Sequence, residues 1–249
     1  MSVKLSPRLL SAVGFVRRGR MLADVGTDHA YLPIYLCQNG YLDANARNAV
    51  AVASDINEGP VERAALHIRT SGLSDKIITV KTDGLTGLDK YSPEDIIIFG
   101  MGGELIAYIL ESSPWVRADG IRLILQPMTH PEKLCASLFE LGFVIVDEVI
   151  SIEGDRIYRT ICADYAPELA QKQKRLSCAE MIVGSAELAR SRSTEQYELY
   201  LKLAGKHLAS ARACRSAKLS AGVDTSAEDE LISGLESIIS MLDCKTKPL

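Results

Sequence analysis

The sequence predicts an α/β fold: a seven-stranded, mostly parallel sheet whose last two strands are antiparallel, followed by a C-terminal helical domain. Three observations support this prediction. Between residue 20 and about residue 165, short β-branched runs alternate with longer helical stretches, which is typical of a parallel sheet covered by helices. Two alternating runs flank a Glu-Gly-Asp turn at 153–155, which predicts a hairpin. Beyond Ala166 and Pro167 only helical periodicity remains.

The seven predicted strands fall into two kinds. The first five are nearly continuously apolar, as expected for strands buried on both faces, whereas the last two alternate between apolar and polar residues. Five parallel strands closed by an antiparallel pair is the layout of Rossmann-like class I methyltransferases and is less usual in NAD-binding dehydrogenases. The predicted strands are 21–25, 49–54, 77–81, 95–100, 121–126, 143–151 and 156–164.

The C-terminal third predicts three helices, over residues 168–189, 193–218 and 227–243. The last two carry apolar seams at spacings of three and four residues, and the region of Gly222 and Asp224 can turn the chain between them. We therefore expect a Rossmann-like domain over residues 1–165 and a small helical or coiled-coil domain over 166–249. The alternative is that these helices cover the sheet. The seam residues are Tyr197, Leu201, Ala204, Leu208 and Ala211, then Leu231, Leu235, Ile238 and Leu242.

Composition narrows the class of protein. The chain is 47% hydrophobic and 24% charged, which is ordinary globular composition, and its apolar runs are far shorter than the ~20 residues of a membrane span. Six scattered cysteines without a Cys-x-x-Cys pair suggest reduced, mostly buried thiols and neither a disulfide framework nor a metal site. The amino terminus lacks the features of a signal peptide, so we expect a cytoplasmic protein.

Charge is uneven along a chain whose formal net charge is -4. The first 23 residues contain five basic and no acidic residues, and residues 190–218 contain seven basic residues against two acidic ones. Such clusters are the electrostatic footprint of phosphate binding, although a basic cluster can also be a solvated helix face. Two basic patches therefore favour a nucleic-acid partner without establishing one.

Residues with functional chemistry stand at the carboxyl ends of all five parallel strands. These ends meet at one edge of the sheet, where nucleotide-like ligands bind. A carboxylate after the second strand can accept hydrogen bonds from ribose hydroxyls, and an acceptor after the third can meet an exocyclic adenine amine. Glycines after the fourth let a ligand or target base approach the backbone. In strand order the residues are Asp24 and Gly26, Asp55, Asp83 and Gly84, 100–103, then Gln126 and Pro127.

The loop after the first strand favours a ligand without phosphates. Asp28 and Tyr31 occupy the second and third glycine positions of a Gly-x-Gly-x-x-Gly motif, and the chain has no Walker-type Gly-Lys-Ser/Thr. A pyrophosphate would meet a carboxylate here. S-adenosylmethionine contains adenosine but no phosphate, and its sulfonium cation is attracted by carboxylates such as Asp24 and Asp28. The loop therefore favours S-adenosylmethionine over NAD.

These segments resemble the bacterial tRNA (adenine-22-N1)-methyltransferase family. The specific ones are Asp-His-Ala-Tyr-Leu-Pro at residues 28–33 and Gly-Met-Gly-Gly at residues 100–103, and the similarity spans most of the chain. The resemblance implies S-adenosylmethionine-dependent methylation of N1 of adenosine 22, in the D-arm region of tRNA. It implies cofactor binding by Asp24, Gly26, Asp55, Asp83, Gly84 and Gly100, and we add Asp28, Ile56, Met101 and Gly102 beside them.

The resemblance also implies that Asp28 and Arg8 matter for activity or for placing the target adenosine. A carboxylate such as Asp28 can accept a hydrogen bond from the exocyclic amine and stabilise the cationic product. His29 is its candidate partner, or a hydrogen-bonding residue of the turn. The family pattern has a polar residue, often Asn, after Gln-Pro, whereas this chain has Met128. Candidate substrate contacts are Arg8, Tyr31, Gly103, Gln126 and Pro127 near the base, and Arg17, Arg18, Lys202, Lys206 and Arg212 on tRNA phosphates.

Other functions compete with this interpretation. The first is an S-adenosylmethionine-dependent methyltransferase acting on another RNA position or on a small molecule, which would not need the basic segments. The second is a non-catalytic scaffold that recruits a partner through its coiled coil, and an NAD oxidoreductase ranks last. We expect a monomer, because one chain can satisfy the apolar seam with an antiparallel hairpin, although the same seam could form a dimer.

Overall fold

A computed structural model describes residues 3–43, 48 and 50–243. Its centre is a seven-stranded sheet in the order β3-β2-β1-β4-β5-β7-β6. The strands are β1 Leu22–Val25, β2 Ala51–Asp55, β3 Ile77–Lys81, β4 Asp95–Met101, β5 Arg122–Pro127, β6 Phe143–Glu153 and β7 Arg156–Tyr165. The predicted seven-stranded fold is confirmed, and the predicted and observed strand ends agree within two residues.

Six helices accompany the sheet in the described part of the first 173 residues. They are α1 Pro7–Leu10, α2 Tyr31–Gln38, α3 Glu58–Thr70, α4 Gly103–Glu111, α5 Pro131–Glu140 and α6 Pro167–Lys172, with short 3-10 turns at Val13–Phe15, Asp89–Tyr91 and Pro114–Val116. Each of α2 to α5 follows a parallel strand or a short loop after one. Their amino ends therefore lie at the edge where the parallel strands end.

Strand pairing fixes the position of that edge. Leu22 at the start of β1 lies opposite Ala51 of β2 and Asp95 of β4. The four pairings among β1 to β5 are all parallel, so these strands end at the same edge. The strand order reverses between β1 and β4, the position where open α/β sheets form a ligand crevice. β7 pairs antiparallel to β5, with Ile124 opposite Cys162.

The core of the sheet is apolar, as the continuous β-branched runs require. Leu22, the three isoleucines of 96–98 and the run 123–125 are completely buried. Burial of each such side chain contributes roughly 1.5 to 3 kcal/mol. The described cysteines are free thiols: Cys37, Cys135 and Cys162 are buried, and Cys178 and Cys214 are exposed. Cys244 lies outside the described residues.

The chain divides into two compact units. The first contains residues 1–147 and 151–173, and the second contains residues 148–150 and 174–249. The first unit therefore extends to residue 173 and includes the short helix α6, whereas the expected boundary lay between residues 165 and 166. Among the helices of residues 3–43, 48 and 50–243, none is long and apolar enough to span a membrane.

The described part of the second unit, up to residue 243, contains four helices: α7 Cys178–Val183, α8 Ala186–Arg190, α9 Thr194–Ser220 and α10 Ser226–Asp243. The prediction of a single helix over residues 168–189 is wrong, because three shorter helices, α6, α7 and α8, occupy this stretch. Ser177 begins α7 with a capping box to Glu180. Gly184 ends α7 at φ +105°, and a Cβ there would lie 2.4 Å from Oε1 of Glu148. The helix therefore ends at Gly184, whose positive φ lies outside the helical region, and the amide of Ser185 that follows donates to Glu148.

Helices α9 and α10 form an antiparallel pair. Near the turn, Lys218 pairs with Glu228 at 2.7 Å, and farther away Arg212 pairs with Glu236 at 2.7 Å. The α10 seam is largely as expected, with Leu235, Ile238 and Leu242 buried and Leu231 half-buried. On α9 the buried stripe is displaced from the predicted seam: it comprises Tyr200, Leu203, Ala204 and Ala211, while Tyr197, Leu201 and Leu208 are half-buried.

Candidate functional site

The loop after β1 is fixed against β2 by its backbone. The amides of Gly26 and Thr27 both donate to the Ser54 carbonyl, each at 2.9 Å. The Thr27 hydroxyl accepts from the amide of Ala30 at 3.1 Å, and Ala30 has φ +54°, a left-handed conformation unusual for alanine. This loop is therefore held in one conformation before any ligand binds.

Asp24 lies just before that loop and is 8% exposed. Burial raises the pKa of its carboxyl group to about 6, and the Thr27 hydroxyl opposes part of this shift. A buried carboxylate with little compensation is costly in the free protein, because ionised groups are poorly solvated there. A cationic ligand beside this carboxylate would favour its ionised form.

Asp24→Asn is expected to stabilise the unliganded protein at neutral pH. The pKa of Asp24 is about 6 in the fold against a usual 3.8. Between these values the unfolded chain binds fewer protons, so the free energy of unfolding falls as pH rises from 4 to 6. The full cost above pH 6 is about 3 kcal/mol, which the amide avoids. Urea unfolding from pH 4 to pH 8 should show a gain that grows with pH. Asp119→Asn, on an exposed carboxylate, serves as the control, and a pH-independent gain would contradict the assignment.

The end of β2 presents one free carboxylate oxygen. Oδ1 of Asp55 accepts a hydrogen bond at 2.8 Å from the amide of Asn57, the residue just before α3. Oδ2 has no hydrogen-bond partner among the described residues. The following side chain, Ile56, is 55% exposed. An acceptor beside an exposed apolar side chain suits a ribose hydroxyl next to a flat purine ring.

Asp55→Ala is expected to weaken S-adenosylmethionine binding by about 30- to 100-fold, because hydrogen bonds to a charged group contribute about 2 to 3 kcal/mol. Isothermal titration calorimetry measures this loss directly. Asp55→Asn keeps an acceptor for the Asn57 amide and removes the charge, so its loss should be intermediate. Equal affinity in wild type and both variants would exclude Asp55 from the site.

Asp83 and Gly84 follow β3 as predicted. The Asp83 side chain is exposed, and the backbone carbonyl of Asp83 accepts a hydrogen bond from the amide of Thr86 at 3.1 Å. Gly84 has φ +54°, and a Cβ there would lie 3.1 Å from two side-chain carbons of Ile109 on α4. The turn thus leaves the carboxylate of Asp83 available while α4 packs closely against the glycine.

The glycines after β4 are needed for reasons that differ from the prediction. Close approach of a ligand was expected, but the neighbouring atoms belong to the chain. A Cβ on Gly103 would lie 2.2 Å from the His130 carbonyl oxygen, and one on Gly102 would lie 2.9 Å from the Thr129 hydroxyl. The Met101 methyl group similarly lies 2.6 Å from the Cβ position of Gly26. Gly103 is therefore required for packing against the loop after β5, and its contact with the substrate stays a prediction.

Arg8 lies at the end of β4. Its Nη1 is 3.5 Å from the Cβ position of Gly100, which has φ +80°. Its guanidinium carbon is 5.7 Å from the centre of the Tyr158 ring, a cation–π distance. The structure thus brings Arg8 to the same edge as the strand-end residues. Its contact with the Tyr158 ring was not predicted from the sequence.

Gln126 anchors the fold through its amide nitrogen, while its Oε1 is buried without a hydrogen-bond partner among the described residues, so its expected contact with the substrate stays a prediction. Its side chain is completely buried, and its amide nitrogen donates to the Thr160 hydroxyl at 2.8 Å. The Arg8 carbonyl lies 3.3 Å from the same nitrogen, and the Ser11 hydroxyl lies 2.7 Å from that of Thr160. Pro127 is also buried. These contacts anchor the segment that carries Arg8 onto the sheet.

Asp28 is the centre of an exposed polar cluster. Its Oδ1 lies 2.5 Å from Nη2 of Arg63 on α3, and its Oδ2 lies 3.2 Å from Nε2 of His29. The hydrogen bond from Arg63 holds the pKa of Asp28 below its usual value. The predicted pairing of His29 with Asp28 is present. Arg63 was not predicted, because its place on a helix after another strand gives no signal in the sequence.

Three rings pack beside this carboxylate. The centre of the His29 ring lies 4.9 Å from that of Tyr31 and 5.2 Å from that of His67, and the rings are nearly parallel. Nδ1 of His67 lies 3.2 Å from the His29 carbonyl oxygen. Within the described residues, Nδ1 of His29 is buried without a hydrogen-bond partner. Tyr31 is 37% exposed, so its stacking on a target base stays a prediction.

Arg17 pairs with a buried carboxylate of the fold, and its expected contact with tRNA phosphates stays a prediction. Its Nε donates to Oδ1 of Asp95 at 2.7 Å, and its Nη2 donates to the carbonyls of Glu94 and Gly120. Asp95 is completely buried and begins β4, so this ion pair lies at the amino end of the strand. Burial raises the pKa of Asp95, and the Arg17 amide and guanidinium counter it. Arg17 is therefore occupied at the opposite edge from the site.

Arg18 is likewise placed away from the strand ends. Its Nη1 donates to the Gly40 carbonyl at 2.9 Å, after the end of α2, and its guanidinium lies over the Tyr41 ring. Arg20 pairs with Glu94. Four arginines near the amino terminus were expected to act together, and only Arg8 of these four lies at the carboxyl edge of the sheet. The other three are Arg17, Arg18 and Arg20.

The basic residues of α9 differ in their partners. Lys202 and Lys206 are exposed, whereas Arg212 is paired with Glu236, and Arg215 is paired with Asp229. Surface ion pairs of this kind neutralise charge locally and contribute little to stability. The expected phosphate contact by Arg212 competes with its partner, while Lys202 and Lys206 make no ion pair with a described residue.

The residues at the carboxyl edge fit S-adenosylmethionine. Asp24, Asp28, Asp55 and Asp83 supply acceptors and negative charge, which suit hydroxyls, an amine and a sulfonium cation and repel phosphates. The acceptor Oδ2 of Asp55, next to exposed Ile56, is the specific feature that matches a nucleoside. No cluster of metal-ligating side chains occurs in the described ranges.

The comparisons with known proteins agree with this geometry. Residues 5–161 match the model of a family described as a methyltransferase domain. The curated tRNA (adenine(22)-N(1))-methyltransferase of Bacillus subtilis strain 168 is 35% identical over 182 residues, covering 73% of this chain and 74% of that protein.

Solved structures extend the similarity to the helical unit. The crystal structure of the B. subtilis M1A22 tRNA methyltransferase TrmK has a TM-score of 0.76 and 30% identity, covering 99% of this chain and 100% of that one. A Streptococcus pneumoniae protein assigned as a tRNA (m1A22) methyltransferase, crystallised with S-adenosyl-L-methionine, has a TM-score of 0.78 and 28% identity over 95% and 100% of the two chains. From its sheet, its strand-end residues and these relatives, the chain belongs to the tRNA (adenine(22)-N(1))-methyltransferase family.

Proposed function

We propose that this chain transfers the methyl group of S-adenosylmethionine to N1 of adenosine 22 of tRNA. The row of carboxylates along the carboxyl edge, at Asp24, Asp28, Asp55 and Asp83, is the observation that carries the proposal. The named activity of the relatives supports the choice of tRNA and of position 22. We infer a cytoplasmic enzyme from the tRNA substrate, and one chain contains all the residues of the proposed site.

The cofactor is held by the ends of the first three strands. Asp55 would accept hydrogen bonds from the ribose, Ile56 would pack against the adenine, and Asp83 would accept from the adenine amine. Asp24 and the rigid loop after β1 hold the cationic part. When bound, S-adenosylmethionine supplies an electrophilic methyl group that the lone pair of adenine N1 can attack directly. The chain therefore has mainly to position the two reactants and exclude water.

Asp28 acts on the target adenine. Its carboxylate accepts a hydrogen bond from the exocyclic amine and stabilises the positive charge that develops on the ring. The ion pair with Arg63 keeps Asp28 ionised, so it serves as an acceptor at neutral pH. N1 lies on the Watson–Crick edge, so a paired adenosine must leave its partner before it reacts.

Contacts to the tRNA backbone come from the basic residues that the fold leaves available. Arg8 at the end of β4 lies beside the site, and Lys202 and Lys206 are exposed on α9. Each phosphate contact adds to the salt dependence of binding. Charge reversal at Lys202 and Lys206 is therefore the variant that tests the role of α9.

Methylation of tRNA transcripts tests the proposed function. Labelled S-adenosylmethionine is supplied with a bacterial tRNA transcript carrying adenosine at position 22 and with a matched transcript carrying guanosine there. The proposal requires N1-methyladenosine in the first transcript, mapped to position 22 by primer extension, and none in the second. Methylation at another position would favour the alternative RNA methyltransferase, and no transfer to any tRNA would contradict a tRNA substrate.

A further inference from the structure

Helix α3 contacts the loop of Asp28 at two points on one helical face. Arg63 reaches the Asp28 carboxylate at 2.5 Å, and His67, four residues later, has its Nδ1 3.2 Å from the His29 carbonyl oxygen. Residues four apart lie on the same face of a helix. Neither side chain belongs to the strand ends proposed to hold the cofactor, and both contact the loop between β1 and α2.

We propose that Arg63 is a positioning residue for methyl transfer: its guanidinium fixes the Asp28 carboxylate where the amine of the target adenine donates to it. The inference rests on the proposed function, and it deepens that function by assigning a role to a residue outside the cofactor site. Arg63 acts through Asp28 and is not itself placed against the adenine.

The geometry of Arg63 supports this role. Its Nη1 lies 3.4 Å from the Cβ position of Gly59, so the side chain folds back along the first turn of α3 towards Asp28. The guanidinium engages Oδ1, while His29 approaches Oδ2, so the carboxylate is restrained at both oxygens.

Stability does not explain the ion pair. The Asp28 side chain is 61% exposed and the Arg63 side chain 48% exposed. Ion pairs this exposed contribute little to folding, because water screens the charges and two side chains lose freedom. A carboxylate that must meet a substrate has to stay exposed, however, and an exposed side chain rotates unless a partner holds it. The ion pair therefore serves to hold the Asp28 carboxylate in position before the substrate binds.

The chemistry needs an acceptor at Asp28. The lone pair of N1 forms the new bond to the methyl carbon, and the electrons of the broken carbon–sulfur bond remain on sulfur. The adenine becomes a cation, and no proton has to leave. A carboxylate kept ionised by Arg63 stabilises this charge, and its lowered pKa makes it a weak base. The arrangement therefore favours hydrogen-bond acceptance over proton abstraction.

Three variants of α3 test the inference. Arg63→Gln removes the charge, Arg63→Lys restores it without the planar fork, and Arg69→Gln removes an exposed arginine from the same helix as a matched control. We expect Arg63→Gln to lower kcat about tenfold, with the affinity for S-adenosylmethionine and the melting temperature unchanged. The acidic limb of the kcat profile should move to higher pH in Arg63→Gln, because the pKa of Asp28 rises without its partner. Arg63→Lys should recover part of both effects.

The outcomes separate the inference from the proposed function. An active wild type with kcat of Arg63→Gln within twofold of it across the pH range would overturn the inference alone. A kcat loss with an unshifted pH profile, or one matched by Arg69→Gln, would also overturn it, since a general structural effect would then suffice. A wild type that does not methylate tRNA at position 22 contradicts the proposed function, and the role of Arg63 falls with it.

Discussion

Asp28→Asn is expected to lower kcat for tRNA methylation by on the order of 100-fold, because the amide carries no charge to stabilise the cationic adenine. The variant is nearly isosteric and the side chain is exposed, so the fold should be unaffected. Asp28 lies outside the strand-end positions that hold the nucleoside. The affinity for S-adenosylmethionine should therefore stay within about threefold of the wild-type value, because a charge that does not contact the cofactor is only weakly coupled to its binding.

Glu62→Gln is the matched control for this prediction. Glu62 is an exposed carboxylate on α3, beside Arg63, and its substitution removes the same charge without touching Asp28. Single-turnover methylation with saturating cofactor measures the chemical step directly. Full activity in Asp28→Asn would remove Asp28 from the reaction. A selective loss of cofactor binding would instead assign Asp28 to the cofactor site, the other role that the sequence predicts for it.

Gly103→Ala should destabilise the first unit by about 3 kcal/mol, near the upper end of the usual cost of overpacking. The added methyl group would lie 2.2 Å from the carbonyl oxygen of His130 and 3.0 Å from that of Thr129. Both atoms are backbone, and the Gly103 amide donates to the Thr129 carbonyl at 2.7 Å, so neither loop can move without losing this hydrogen bond. Activity should fall as well, because the loop after β4 borders the site.

Urea unfolding followed by fluorescence checks this prediction. Gly14→Ala provides the comparison within the same unit, because no atom lies within 4 Å of its Cβ position and its φ is negative. We expect that variant to change stability by less than about 1 kcal/mol. A Gly103→Ala protein as stable as Gly14→Ala would show that the loops after β4 and β5 can separate easily.

The strands and their functional ends were predictable because their signals are local. Continuous apolar runs identify buried strands, and Asp55 or Asp83 directly follows such a run. The parallel arrangement then brings the ends together without any knowledge of side-chain contacts. The helix break at Gly184 was missed because a contact beside it is distant in sequence: the amide of Ser185 donates to Glu148, 37 residues away.

Roles that depend on contacts distant in sequence were not predictable in the same way. Arg63 and Asp28 are 35 residues apart, and Arg17 and Asp95 are 78 apart. One signal was nevertheless present for the second pair: a carboxylate that begins an apolar strand will be buried and needs a cation. Gln126 carried a similar signal, since an amide inside a buried strand has to find hydrogen-bond partners in the core.

The anchor formed by Ser11, Thr160 and Gln126 has a consequence for folding during synthesis. The hydroxyls of Ser11 and Thr160 are 2.7 Å apart in space and 149 residues apart in sequence. At ribosomal rates, Ser11 emerges on the order of ten seconds before its partner. The segment that carries Arg8 must therefore wait, without its final contacts, until β7 has been translated. The binding edge is completed late, and codons that slow translation of β7 would prolong the period in which the nascent chain exposes it.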